Sequence, residues 1–473
     1  SAPHSAAVEP LDPPSDPRTP DPVKSARLAG APRWNQPYEA AGLIDAFQVE
    51  MLPEEADPLD LRYNVIQWVH RSTRGWSYGG SISDPRTGEI IKGHVSLGSL
   101  RIRQDFMIAQ ALKAPYKAGE ENDDFALEMA LARIRQLSAH EVGHTLGFSH
   151  NFAASTVNRS SVMDYPHPWI QASGGDLDFS QAYAVGIGDW DKVTVKYAYG
   201  EFPGDEETEL RNLLDQAFEE GHRYVTDADA RPAGSSNVYA HLWDNGNDIV
   251  EELANVMEVR EIGISNFSVD NIRIDEPFSV LEDVFVPLYF YHRYQTEAVS
   301  KLIAGQEYGY RVRGGKQGPS KVLSAKEQQR ALDALMTTID AKRLAIPKDK
   351  QDLFLPRAFG YPRTRESFIS QLGVDFDPFS AASTASRMTF SFVLHPERAS
   401  RLVAQKAMDK EQLGLEEVLD KLIKNTFGTE HKDPYLTEIQ NHINEQLLEA
   451  MYDLVASKHA YKGARSLAAD RLR

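Results

Sequence analysis

Eleven residues, His140-Glu141-Val142-Gly143-His144-Thr145-Leu146-Gly147-Phe148-Ser149-His150, restrict the fold of this chain more than any other stretch. On a helix, positions 140 and 144 lie one turn apart, so both imidazoles project from one face and can grip one ion. Glu141 is offset by one residue around the axis and stands beside the coordination positions rather than in them. A helix running on past 147 would carry the next residues away from the ion. Glycine tolerates positive φ, so Gly147 can turn the chain and bring His150 back as a third ligand. Three neutral imidazoles leave a fourth position for water, which is the arrangement of a catalytic zinc site rather than a closed structural one. At this His content the full spacing arises by chance in about one chain in ten thousand or fewer.

Composition narrows the alternatives. The 473 residues are 41% hydrophobic and 25% charged, as in an ordinary globular protein, and the length favours two or three domains. There is no cysteine, so disulfides, thiolate zinc sites, iron–sulfur clusters and cysteine nucleophiles are excluded, and a transition metal must rest on His and carboxylate ligands. A formal charge of -18 without a basic block argues against a nucleic-acid partner. No apolar run reaches membrane-spanning length, and the start lacks a charged-then-apolar signal pattern. The expectation is that a targeting segment has been removed or that the chain begins inside a larger precursor.

Residues 1–32 carry eight prolines and little apolar periodicity, and read as a tail or linker. Trp34 to Gly42 has the pattern of a short helix closing on glycine. Leu61 to Val69 alternates as a strand, Gly-, Ser- and Trp-rich loop material follows, and a second strand is expected from Glu89 to about Arg103. Residues 123–147 predict the helix that carries the histidines, with Leu127, Ala130, Leu131, Ile134 and Leu137 as its apolar stripe. A further helix is expected from Asp189 to Tyr199. Residues 204–274 read as an acidic, irregular junction. Residues 275–473 read as mainly helical, with the clearest runs at Phe278–Ala304, Ser324–Leu344, Glu411–Asn425 and Tyr435–Ser457.

The histidine stretch matches the metzincin pattern His-Glu-x-x-His-x-x-Gly-x-x-His. A second metzincin feature, the Met-turn, is resembled by Ser161-Val162-Met163-Asp164-Tyr165-Pro166. Asp189-Trp190-Asp191-Lys192 through Tyr199-Gly200 resembles the last helix of metzincin catalytic domains. More closely, the chain resembles a bacterial zinc-dependent metalloprotease family with a Met-zincin domain and a long C-terminal extension. That likeness rests on Arg62 to Val69, Asp84 to Ile90 and Tyr291-His292-Arg293-Tyr294-Gln295, and together the matches cover about 35 to 310. One departure is Asn151, which follows the third His where astacins carry Glu.

The resemblance implies an α+β fold. A metzincin-like catalytic domain at 33–203, a mixed twisted sheet plus the active-site helix, would precede the helical C-terminal domain. It implies that Met163 forms an apolar floor beneath the imidazoles and that Tyr165 ligates the resting metal and turns to the oxyanion in the transition state. The simpler reading of both is a buried Met and Tyr in an ordinary turn. It also implies an extracytoplasmic location, periplasmic or secreted.

The expected activity is that of a zinc endopeptidase: one ion held by His140, His144 and His150, and water activated with Glu141 as general base. The partner is then a protein or peptide substrate; the oligomeric state stays open. The main alternative is a zinc-loaded but non-catalytic binding or scaffold protein, against which the intact Glu141 speaks, and another is an enzyme acting on a non-peptide amide. The strand at Gly93 to Leu100 is either a substrate-pairing edge or an interior strand. His94 reads as structural, His167 as a solvated loop residue, and the aromatic run Phe285 to His292 as core packing. Asp244-Asn245-Gly246-Asn247-Asp248 reads as an acidic turn rather than a calcium site, since it lacks EF-hand spacing.

Overall fold

In the alternating segment, strand β3 (Val65–Val69) buries Val65, Ile66 and Trp68. The computed structural model describes residues 5–6, 21–53, 55–71, 75–117 and 121–473. Two-residue strands β1 (Ser5–Ala6) and β2 (Leu43–Ile44) pair in parallel. The main sheet has three strands in the order β3-β5-β4. Here β5 (Ile90–Gly98) runs parallel to β3, and β4 (Tyr78–Ser83) closes the sheet as an antiparallel edge.

Two sequence expectations change here. The strand at Gly93 to Leu100 is the interior strand β5, and the edge is β4, whose Tyr-Gly-Gly-Ser-Ile-Ser reads as loop. Two glycines give β4 almost no strand propensity of its own. Its ladder to β5 supplies what the sequence lacks. The strand expected to reach Arg103 ends at Gly98, where α3 (Leu100–Lys113) begins and buries Leu100, Ile108, Ala109 and Leu112.

The helix expected at 123–147 is α4 (Asp124–Thr145). It lies between two cores. Leu131, Ile134, Leu137 and Val142 join Trp34, Ile66, Leu97 and Met163 in one. Ala126 and Met129 join Ile108 and Leu112 in the other, which continues through the C-terminal helices as far as Ala468. A helix clamped on both sides fixes its side chains, which is what a metal site needs.

The proline-rich start is also partly structured. Residues 23–30 form α1 (Val23–Gly30), followed by a 3-10 turn and α2 (Asn35–Ala40). Gly30 crosses α4 so closely that a Cβ there would collide with the Arg135 carbonyl oxygen, and Trp34 Nε1 donates to the Ala139 carbonyl at 2.7 Å. Residues 21–32, expected as the end of a tail, therefore pack on the histidine helix through Val23, Ala26 and Ala31. Among prolines, so few apolar side chains produce no legible period. Residues 1–4 and 7–20 lie outside the described residues.

Within 204–274, expected as irregular, an 18-residue helix runs over Ile249–Asn266 and buries Val250, Leu253, Val256 and Met257. Its cap is Asp248, whose side chain accepts from the amides of Val250 and Glu251 at 2.9 and 3.1 Å. Asp248 also pairs with Arg330 at 2.8 Å, and Asn247 donates to Asn158 at 2.7 Å. The acidic run at 244–248 thus caps a helix with oxygens that a calcium ion would need. The expected run Phe278–Ala304 is two helices, Ser279–Tyr289 and Arg293–Ser300, the first containing Pro287. Phe285, Leu288, Tyr289 and Tyr291 are buried there, as the aromatic pattern suggests.

Candidate metal centre

α4 places His140 and His144 one turn apart on its last two turns. The Leu146 amide still bonds the Val142 carbonyl at 3.2 Å, and the Phe148 amide then reaches back to Gly143 at 3.0 Å. Between them Gly147 takes φ of +89°, with open space where a Cβ would stand, so backbone conformation and not crowding demands glycine. The turn returns His150 to the other two. Nε2 of His144 lies 3.2 Å from Nε2 of His140 and 3.1 Å from Nε2 of His150.

The donor set fits zinc. Each Nδ1 faces an acceptor: the Val162 carbonyl at 2.8 Å, the Phe148 carbonyl at 2.7 Å, and Asp227 Oδ2 at 2.8 Å for His140, His144 and His150 in turn. Each Nδ1 therefore carries the proton, and three Nε2 lone pairs converge on one point. Without a cation these lone pairs repel. With zinc–nitrogen bonds of about 2.0–2.1 Å, tetrahedral ligand atoms stand roughly 3.3 Å apart, close to the spacing seen. Burial holds all three imidazoles below their ordinary range, His144 at about 4, so the ligands are neutral. Among the described residues, no other group of three or more His, Cys, Asp or Glu residues comes together in this way.

Met163 is 2% exposed and lies against α4 at Gly143, where a Cβ would overlap its sulfur. The turn holding it is built by Asp191 on α5 (Asp189–Tyr199). This carboxylate accepts from the Ser161 hydroxyl at 2.6 Å, the Val162 amide at 2.8 Å and the Gly188 amide at 2.9 Å. Burial pushes the Asp191 carboxyl up to about 6, although these three donors pull it down. The Asn151 amide closes the turn by donating to the Met163 carbonyl at 3.1 Å.

Glu141 is 5% exposed, and burial pushes its carboxyl up to about 8 against the pull of Arg133 and of the Gly79 amide. Gly79 belongs to β4 and touches α4 directly: a Cβ there would collide with the Glu141 carbonyl oxygen. Tyr165 packs its ring 5.2 Å from His140 and 4.8 Å from His150, with Trp243 stacked behind it at 5.5 Å. Its hydroxyl accepts from Arg231 at 3.3 Å. Burial raises the phenol above its ordinary value while Arg231 opposes this, so the hydroxyl keeps its proton at neutral pH.

Sequence spacing does not reveal Asp227 or Arg231. Burial alone would raise the Asp227 carboxyl, but hydrogen bonds from Arg231 and His150 hold it at about 2. The Asp227–Arg231 pair has ordinary i, i+4 helix spacing, which carries no signal of a metal. What delivers Asp227 is the residue that departs from the astacin pattern. Asn151 accepts from the Val225 amide at 3.1 Å and donates to the Arg223 carbonyl at 2.8 Å, which ties residues 223–227 to the histidine loop.

His94 lies on β5 outside the triad. His167 is buried rather than solvated, with Tyr291 and Tyr294 at 4.9 and 5.7 Å, because the segment opening the Arg293–Ser300 helix covers the loop. Glu141, Tyr165 and His167 all line one cleft of about 910 Å³.

A sequence model of the family described as Met-zincin matches residues 122–433. The chain belongs to the Met-zincin family. The matched span of this Met-zincin holds the three histidines, Glu141, Gly147, Met163, Tyr165, Asp227 and Arg231. It is a metzincin-type zinc metalloprotease domain by family. No curated protein matches the chain, and no solved structure does. Among the described residues no helix of the Met-zincin is long and apolar enough to cross a membrane.

Proposed function

We propose that this Met-zincin hydrolyses internal peptide bonds, with His140, His144 and His150 holding one zinc ion and Glu141 acting as general base. The observation that carries the reading is the convergence of three Nε2 lone pairs beside a buried glutamate on the same helix. A purely structural zinc site has no use for that carboxyl.

Zinc bound there supplies Lewis acidity, lowering the pKa of a water molecule and polarising the scissile carbonyl. The protein's own groups do the rest. A carboxylate oxygen of Glu141 takes a proton from the attacking water and passes it to the leaving amine. The Gly79 amide and Arg133 orient that carboxylate. The Tyr165 hydroxyl, kept protonated, donates to the oxygen on which charge develops. Asp227 fixes the His150 ring by taking its Nδ1 proton in a hydrogen bond. The outer side of β4 offers an extended peptide a strand to pair with.

The test is digestion of a peptide library, with zinc and with chelator, by wild type and Glu141→Gln. Mass spectrometry should find internal cuts by wild type that chelator abolishes. Glu141→Gln should retain stoichiometric zinc and lose cleavage by a hundredfold or more. Zinc binding with no cleavage by wild type identifies a binding protein on a protease fold instead.

A further inference from the structure

The cleft beside Glu141 has an electrostatic character opposite to that of the chain. The protein carries 69 Asp and Glu against 51 Lys and Arg, yet seven arginines and only three carboxylates line this cleft. Of those carboxylates, Glu141 belongs to the metal centre. Asp283 is paired with Arg357 at 2.8 Å and Glu366 with Arg103 at 2.8 Å. Arg101 pairs with Asp105 at 3.2 Å, and Arg231 with Asp227. Arg71, Arg133, Arg293 and Arg365 form no ion pair among the described residues.

Arg293 is best placed to meet a ligand. It is half-buried, its guanidinium lies 4.3 Å over the Tyr294 ring, and it donates to the Phe290 carbonyl at 3.0 Å. No acid takes the remaining donors of its fork. The Tyr294 ring packs at a tilt 4.8 Å from Trp243, which stacks on Tyr165 at 5.5 Å, so an aromatic wall runs from the metal centre to Arg293. On the same wall His167 is buried, and its Nε2 has no hydrogen-bond partner. Burial, then the charges of Arg293, Arg101 and Arg133, hold this imidazole well below its ordinary range. Uncompensated guanidinium groups in a half-buried cleft are costly unless an anion completes them. Their planar forks match a carboxylate.

We infer that the wall formed by Arg293, Tyr294 and His167 is a carboxylate subsite, and that the substrates are peptides presenting a carboxylate beside the scissile bond. The inference rests on the endopeptidase reading for its place in the reaction, though binding alone can test it. The carboxylate can belong to an Asp or Glu side chain or to the peptide's C-terminus, and the chemistry of recognition is shared.

The experiment uses matched peptides: Glu against Gln at each position flanking an observed cut, and free against amidated C-termini. Both kcat/KM and calorimetric affinity for the zinc-loaded protein are measured. One carboxylate, side-chain or terminal, should improve kcat/KM and affinity about tenfold or more over its neutral isostere, as charge-assisted hydrogen bonds do. The side-chain arm and the terminal arm show which source is used. Arg293→Gln, accepted only with wild-type zinc content and melting temperature, should erase the difference between the acidic peptides and their neutral isosteres. If that variant does not fold, the wild-type comparison still decides. Tighter binding of acidic peptides without cleavage supports the subsite while the endopeptidase reading fails. Equal binding and cleavage of acidic and neutral peptides, or a preference that survives in folded Arg293→Gln, overturns the inference.

Discussion

Replacing Gly143 with alanine adds one methyl group between the two histidines of α4, and two opposing effects follow. Alanine is the better helix former by about 1 kcal/mol in a helix interior. Against that gain, the new Cβ would overlap the sulfur of Met163 and stand 2.6 Å from Cζ2 of Trp34. The methionine side chain can rotate away. Trp34 cannot, because it is 0% exposed, pinned by its 2.7 Å bond to Ala139 and stacked on Phe148 at 5.3 Å. Overpacking against a fixed neighbour costs about 1–3 kcal/mol, and here it acts on a helix already held on both sides. Against a ring pinned at 2.6 Å the cost falls in the upper part of that range, about 2–3 kcal/mol, which leaves a net loss of about 1–2 kcal/mol after the propensity gain. Displacing α4 there also misaligns His140 and His144, so zinc affinity should fall with stability. Urea denaturation with and without chelator measures the first, and competition with a chromophoric chelator measures the second. Trp34→Phe removes the offending ring edge and should lower the cost of Gly143→Ala by about half in a double-mutant cycle. A Gly143→Ala protein as stable as wild type, with unchanged zinc affinity, would refute the claim that Trp34 and Met163 leave no room at 143.

Other positions give independent checks. Asp227→Ala leaves the His150 ring without its anionic partner and should weaken zinc binding about 10- to 100-fold; equal affinity in the same titration removes Asp227 from the site. Gly79→Ala drives a Cβ into the Glu141 carbonyl, so β4 must lift off α4. Cleavage should drop at least tenfold at full zinc occupancy, and undiminished kcat/KM would show the strand is not held there. Tyr165→Phe keeps the ring stack but loses the donor, so kcat should fall by about 100- to 1,000-fold with KM little changed, as for loss of one oxyanion donor. Unchanged kcat removes Tyr165 from the chemistry.

The sequence by itself determined the parts of this protein whose geometry is local. His140, Glu141 and His144 occupy one helix face because of a four-residue spacing, and the return of His150 follows from one glycine at positive φ. The helix over Asp124–Thr145 was legible because its apolar stripe has helical period, and α5 was legible from the likeness of Asp189 to Gly200 to the last helix of metzincin domains. Where the period is missing, the elements were not legible. β4 is two glycines in a polar strand, and α1 is a single helical stretch of eight residues that buries only Val23 and Ala26 among its apolar side chains; each exists because α4 or β5 supplies the surface. Only tertiary structure brought Asp227 to His150, 77 residues apart, through bonds made by Asn151. It also covered His167 with Tyr291 and Tyr294 and gathered arginines from distant segments into one cleft. Pairing across such distances depends on which surfaces the cores press together, and no local spacing encodes that.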